Sequence, residues 1–250
     1  MLRPKHFRTG CTYLSGTPLL VAHRGGAKLA PENTLVSFQR AVGWWGADIL
    51  EMDVRLTSDG YVVVIHDATV DRTTDGAGLV ADLDLGEIRN LDAGYNFEDL
   101  TGQHSFRGQG VTVPTFEEVL TALPHTRMNV EAKEPQVAGP LVEVIKRHSA
   151  EHRVLVAAQF ERCRREIRHY DGPWGASRQQ VFWFWLGHHL PWVNPFSLSA
   201  DVLQVPELWK GLRVVSPRFI RQAHARNIPV HVWTVDEPAD MRRLIDWGVD

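Results

Sequence analysis

The chain has 250 residues, 44% of them apolar, with a formal net charge of −3 and an isoelectric point near 6.5; that length suits one large core, and α/β barrels of this size commonly stay undivided. The charge balance argues against a polybasic surface for nucleic acid, so an anionic ligand has to be met by a local pocket. Cys11 and Cys163 are far apart, with no spacing typical of a disulfide framework or a structural zinc site, and fit a reducing compartment.

Residues 1–18 are basic and polar, read as an irregular arm, and lack a signal-peptide core; no later run reaches the roughly 20 apolar residues of a membrane span. The expectation is a soluble, cytoplasmic protein. Val/Ile/Leu-rich runs then recur at residues 19–23, 49–56, 62–66, 128–133, 154–158, 202–205 and 230–235. Amphipathic helical patterns at 34–45, 115–123, 140–149, 217–226 and 238–247 separate them, so strand-helix units and a mostly parallel sheet are predicted. No glycine-rich phosphate loop follows a strand, which favours a barrel over an open doubly wound sheet. Residues 67–113 are too long for an ordinary connection and are expected to form a small inserted subdomain. The chain stops at Asp250, where the helical pattern would hand over to another strand; an eighth strand is expected to be missing and the first strand poorly braced.

Polar residues fall at the ends of these runs. Glu51 and Asp53 are two apart on a strand, so both project to one face. Inside a barrel such a pair needs a cation, a proton or ion-pair partners, and a bound metal is the favoured reading. Glu131 and Lys133 alternate onto one face in the same way, with Glu134 beside them expected to be exposed. His23 and Arg24 end the first run, and His66 and Asp67 end the third, so two histidines are expected to cap two different barrel strands, as acid and base. Arg24 and Lys133 supply fixed positive charge for a phosphoryl group. Three carboxylates without thiolate offer hard oxygen donors, suited to Mg²⁺ or Ca²⁺. Trp233, and Phe160 after the fifth run, are candidate pocket walls, and Gly25 and Gly26 are expected to leave backbone room beside the ligand.

The order of motifs resembles the glycerophosphodiester phosphodiesterase family, within the phospholipase-C-like phosphodiesterase barrels. The matching stretches are His23-Arg24-Gly25, Pro31-Glu32-Asn33-Thr34, Glu51-Met52-Asp53, Thr57-Ser58-Asp59-Gly60 leading to His66-Asp67, and Asn129-Val130-Glu131-Ala132-Lys133. The resemblance covers about residues 19–250 and implies a (β/α)8 TIM-type barrel with a small inserted subdomain. It also implies a metal-dependent hydrolase releasing sn-glycerol 3-phosphate and an alcohol from small glycerophosphodiesters, by water or through the substrate's own glycerol 2-hydroxyl. Glu51, Asp53 and Glu131 would hold the metal, His23 and His66 would be the acid-base pair, and Arg24 and Lys133 would contact phosphate. Trp233 would face the glycerol end, and Phe160 the substrate. Gln159 departs from the family's small polar residue at that position. A lysophospholipase-D-type enzyme and a non-catalytic phosphate-ester binder are the alternatives. The aromatic stretch 181–193, with Trp183, Trp185 and Trp192, reads as a clasp over the barrel or a lipid-contacting lip, and His188 and His189 as surface residues.

Overall fold

The computed structural model describes residues 12–167, 169–189 and 198–250. Its strands are β1 (Val21–Ala22), β2 (Ile49–Leu56), β3 (Val62–Val64), β4 (Arg127–Ala132), β5 (Val154–Ala157), β6 (Leu203–Pro206), β7 (Leu208–Trp209), β8 (Leu212–Arg213) and β9 (Val230–Trp233). The helices are α1 (Leu35–Gly43), α2 (Leu85–Arg89), α3 (Phe116–Ala122), α4 (Pro135–Arg147), α5 (Glu161–Glu166), α6 (Arg178–His188), α7 (Pro217–His224) and α8 (Pro238–Asp246). β1, β2, β4 and β5 pair in that order, all parallel. Single bridges carry the circuit onward, from Val156 to Trp174 and from Gly175 to Val202, and β6 then pairs in parallel with β9. Asp250 touches both ends of this circuit, donating its N–H to Val230 O at 3.1 Å and accepting from Leu19 N–H at 2.6 Å. The α/β barrel architecture is thus present, although its ladders are interrupted and the hydrogen-bonded sheet divides into a five-stranded and a two-stranded part.

Strand alternation sorts the side chains. Leu50, Met52 and Val54 of β2 and Met128, Val130 and Ala132 of β4 pack outward, in a cluster with Phe38, Phe116 and Leu141 from α1, α3 and α4. The opposite faces hold Ile49 and Leu155, which form a second buried cluster with Val202 and Tyr13. Further along those inner faces stand Glu51, Asp53 and Glu131. Capping boxes fix where α1 and α3 begin: Thr34 with Ser37, and Thr115 with Glu118. Residues 67–113 enclose a small apolar cluster that includes Val70, Val80 and Ile88 and packs against Val63 and Ile65 beside the main sheet.

Several expectations need correction. The third run is not a barrel strand: β3 pairs antiparallel with β2, Val54 opposite Val64 and Leu56 opposite Val62. The reason is the turn between them. Thr57 Oγ1 meets Asp59 at 2.6 Å and accepts the Tyr61 N–H at 2.9 Å, and Gly60 takes a φ of 86°, so the chain reverses within five residues, whereas a parallel crossover needs a dozen or more. Helix α4 starts at Pro135 rather than at Pro140, because Pro135 occupies the first helical turn, where its lost N–H costs nothing. Helices α5 and α6 and the β7–β8 hairpin follow no clear apolar period. His188 is buried, its ring near Phe219 and its Nδ1 against Trp185 O, whereas His189 is exposed. Trp192 lies outside the described residues. No helix among the described residues is long and apolar enough to cross a membrane.

His231 lies in β9 beside Gln204 of β6, and its Nε2 is buried with no hydrogen-bond partner among the described residues. Burial pushes its pKa from 6.5 down to about 4. Between those values the unfolded chain binds a proton that the folded chain refuses. The contribution of His231 to stability is therefore complete above pH 6.5 and should fall by about 1.4 kcal/mol per pH unit towards pH 4. Urea unfolding of His231→Gln across this range should show a flatter profile, by about 1–3 kcal/mol in total.

Candidate active site

The parallel register of β2 and β4 sets Asp53 opposite Glu131 and Glu51 opposite Asn129, so three carboxylates meet at the same ends of two neighbouring strands. One oxygen from each lies within 4.8 Å of the others. Asp53 is the most enclosed, at 2% exposure. Lys133 Nζ donates to Asp53 Oδ1 at 3.1 Å and to Glu131 Oε2 at 3.2 Å. On its other side Asp53 Oδ2 accepts from Asn33 Nδ2 at 3.2 Å and faces Arg24 Nε at 3.3 Å. Glu51 has less. Its Oε2 accepts the Arg24 backbone N–H at 2.9 Å, and His23 Nε2 stands 4.0 Å away. Burial and then the neighbouring Asp53 charge push the Glu51 carboxyl well above the usual range. A cluster of hard oxygen donors with more negative charge than its cations balance fits a divalent cation held by Glu51, Asp53 and Glu131.

The turn after β1 brings the basic groups to this cluster. Arg24, Gly25 and Gly26 are three successive left-handed residues, with φ of 51°, 77° and 90°. This conformation aims the Arg24 N–H at Glu51, while Arg24 O accepts from the Asn33 N–H at 3.0 Å. The space beside the two glycines is taken up by the chain itself. A Cβ on Gly25 would sit 2.4 Å from Ser37 Oγ and 2.8 Å from Phe38 Cδ1, and one on Gly26 would sit 2.8 Å from Trp45 Cζ3. They let α1 and Trp45 approach the turn.

His66 reaches the site by a different route, two residues beyond β3. Its Nδ1 lies 2.6 Å from Asp67 Oδ1, and Asp67 Oδ2 accepts from Arg72 Nε at 2.5 Å. Arg72 Nη2 and Nη1 donate to the two oxygens of Glu32 at 2.7 and 3.0 Å, and Glu32 Oε1 also accepts from Arg24 Nη1 at 3.1 Å. The hydrogen bond from Arg72 draws the Asp67 carboxyl down to about 2. Burial raises Glu32, but Arg72 and Arg24 outweigh it and hold it below the ordinary range. Burial, then the Arg24 charge, lowers His23, so its imidazole is neutral at pH 7. Arg55 Nε donates to His66 O at 2.9 Å and Arg55 Nη1 to Glu134 at 3.1 Å. Glu134 is therefore not the exposed residue expected: it also accepts the Leu56 N–H and ties β2 to the start of α4.

His23, Arg24, Glu51, Asp53, Glu131 and Lys133 form one connected group, and His66 joins it through Asp67, Arg72 and Glu32. Phe160 and Trp233 take no part in these bonds. Trp233 ends β9 and Phe160 stands three residues beyond β5, just before α5; they are 45% and 43% exposed, with Phe160 next to the guanidinium of Arg162. Sequence reasoning gave no role to Glu32, Asn33, Arg55 or Arg72. Glu32 and Asn33 stand in the Pro31-Glu32-Asn33-Thr34 motif, and Asn33 also tolerates the left-handed φ of 58° found there.

Residues 23–174 and 176–250 match the model of the glycerophosphoryl diester phosphodiesterase family. The chain belongs to this family. A glycerophosphodiester phosphodiesterase of Caldanaerobacter subterraneus subsp. tengcongensis is 34% identical over 93% of this chain and 91% of its own length. A probable glycerophosphodiester phosphodiesterase 2 of Mycobacterium tuberculosis is 32% identical over 94% and 86%. Among solved structures, the glycerophosphoryl diester phosphodiesterase domain of a Mycobacterium tuberculosis protein superposes with a TM-score of 0.80 at 22% identity, over 93% of this chain and 94% of that one, a likeness of fold. An Oleispira antarctica phosphodiesterase, solved in complex with the product sn-glycerol-3-phosphate, gives 0.73 at 25% identity over 93% and 91%. Family membership makes the chain a phosphoric diester hydrolase.

Crowding of charge in this family's fold gives a direct test. In chelator, Glu51→Gln should melt at or above the parent temperature, because it removes one of the repelling carboxylates. Added Mg²⁺ or Ca²⁺ should stabilise the parent by mass action, and the variant should need at least about tenfold more cation for the same rise in Tm.

Proposed function

We propose that the chain hydrolyses small glycerophosphodiesters to sn-glycerol 3-phosphate and an alcohol, with a divalent cation, Mg²⁺ or Ca²⁺, held by Glu51, Asp53 and Glu131. The observation that carries this reading is the convergence of three carboxylates, Arg24, Lys133 and His23 at one end of β1, β2 and β4. The product bound to the Oleispira antarctica phosphodiesterase supports the choice of product. When bound, the cation would offset charge on the phosphoryl oxygens. Arg24 and Lys133 bind and orient the phosphate beside it. His23, neutral at pH 7, is in the form that accepts a proton from the nucleophile. That nucleophile is water or the substrate's glycerol 2-hydroxyl, and capture of a cyclic phosphate would mark the second.

His66, with Nδ1 against Asp67, keeps Nε2 to protonate the departing alkoxide as the phosphorus–oxygen bond breaks. Phe160 and Trp233 wall the substrate, Trp233 at the glycerol end. Residues 67–113 act as a subdomain inserted in a barrel domain of residues 19–250. The spacing of Cys11 and Cys163 supports a cytoplasmic setting. With glycerophosphocholine and added cation, His23→Ala and His66→Ala should each lower turnover by about 10²- to 10⁴-fold. Parental turnover in either would overturn the assignment.

One observation favours a second reading, hydrolysis of lysophospholipids. Phe182, Trp183 and Leu186 of α6 are exposed, as are Leu208, Trp209 and Leu212 of the β7–β8 hairpin, and Trp185 Nε1 joins the two elements by donating to Arg213 O at 3.0 Å. Such an apolar rim would suit an acyl chain. On that reading Trp183→Glu should lower lysophosphatidylcholine turnover about tenfold and leave glycerophosphocholine turnover within about twofold. No detectable turnover of lysophosphatidylcholine by the parent would remove it.

A further inference from the structure

Arg72 belongs to none of the motifs to which a role was assigned, yet it connects the two histidine-bearing sides of the site. Its guanidinium uses separate edges for separate partners: Nε to Asp67 at 2.5 Å, and Nη2 and Nη1 to Glu32 at 2.7 and 3.0 Å. Each of those carboxylates touches a candidate functional group with its remaining capacity. Asp67 meets the His66 ring at 2.6 Å, and Glu32 accepts from Arg24 at 3.1 Å. The charges alternate along the chain His66, Asp67, Arg72, Glu32, Arg24, from the end of the β2–β3 hairpin to the turn after β1. We infer that Arg72 is a positioning residue that sets the orientation of His66 and of Arg24 together, through Asp67 and Glu32. This rests on the proposed roles of His66 and Arg24.

The energetics favour a positional rather than a stabilising role. The Arg72 side chain is 48% exposed, and ion pairs in such settings contribute little to folding. Their geometry is nevertheless specific, because a planar fork fixes the direction of each hydrogen bond. Asp67 is adjacent to His66 in sequence, so any rotation of its carboxylate moves the ring's only described side-chain partner. Glu32 is 14% exposed and shared between two arginines. Without Arg72 it would turn wholly towards Arg24 and compete with the phosphate for that guanidinium. A lysine cannot reproduce Arg72, since a single Nζ lacks the separate Nε and Nη edges on which the two carboxylates now sit.

Kinetics on the cation-loaded full chain test this, with glycerophosphocholine as substrate. Arg72→Met should lower kcat through His66 and raise KM through Arg24, for a combined loss in kcat/KM of about 10- to 100-fold, with Tm within a few degrees of the parent. Arg72→Lys should recover one of the two parameters, not both. Millimolar guanidinium should accelerate Arg72→Ala and leave the parent unchanged. Asp67→Asn should act mainly on kcat and add little in the Arg72→Met background, whereas Glu32→Gln, which removes the competing charge, should restore part of the KM lost there. Arg89→Met, which breaks an exposed pair with Glu118 outside the site, serves as the unchanged control. Parental kcat and KM in Arg72→Met, or a loss that only tracks the fraction unfolded, would overturn the inference. If His66→Ala is inactive while Arg72→Met is normal, the inference alone fails; if His66→Ala turns over normally, the functional reading fails with it.

Discussion

The mouth of the barrel is organised around the buried charge of Asp53. A carboxylate at 2% exposure is tenable only where hydrogen bonds and opposite charge replace its lost hydration. Here Lys133 comes from beyond β4, Asn33 from the approach to α1 and Arg24 from the turn after β1. Three separate segments are therefore tied to one residue in the middle of the sheet. The left-handed conformations at Arg24 and Asn33 are maintained because both residues meet this carboxylate while bonding each other's backbone.

That arrangement leaves Glu51 under-compensated. The cations nearest to it are directed at Asp53, Glu131 and Glu32, and Glu51 retains a backbone N–H and a distant histidine. The imbalance leaves room for an additional positive charge among these carboxylates, as a bound cation would supply. Structural economy follows, since the groups that hold Asp53 in place are the same ones proposed to face the substrate's charge.

Much of this was legible in the sequence for a simple reason. Two-residue alternation places Glu51 with Asp53 and Glu131 with Lys133, and parallel pairing of two such strands then brings the pairs together. The alternation of apolar runs with helical patterns likewise pointed to the barrel. The third run misled because its composition matches a buried parallel strand, while the decision lay in the turn at residues 57–60, whose geometry depends on the Thr57 hydroxyl. Gly25 and Gly26 stood beside the functional residues and looked like ligand contacts, but the atoms they avoid belong to Ser37, Phe38 and Trp45, which only the folded chain brings near. Arg72 and Glu32 are 40 positions apart, and neither periodicity nor motif spacing links two charged loop residues at that separation. Trp174 and Gly175 bridge β5 to β6 with too few residues to leave an apolar run.

The antiparallel β2–β3 hairpin has one more consequence. Glu51, Asp53 and His66 all ride on a single hairpin, with Ile65 N–H still bonded to Asp53 O at 2.9 Å. Their mutual spacing is set by contacts that are short-range along the chain, whereas His23 and Glu131 arrive from distant segments. Part of the proposed site is thus a local cassette of low contact order, spaced by contacts within one hairpin rather than by the closure of the barrel.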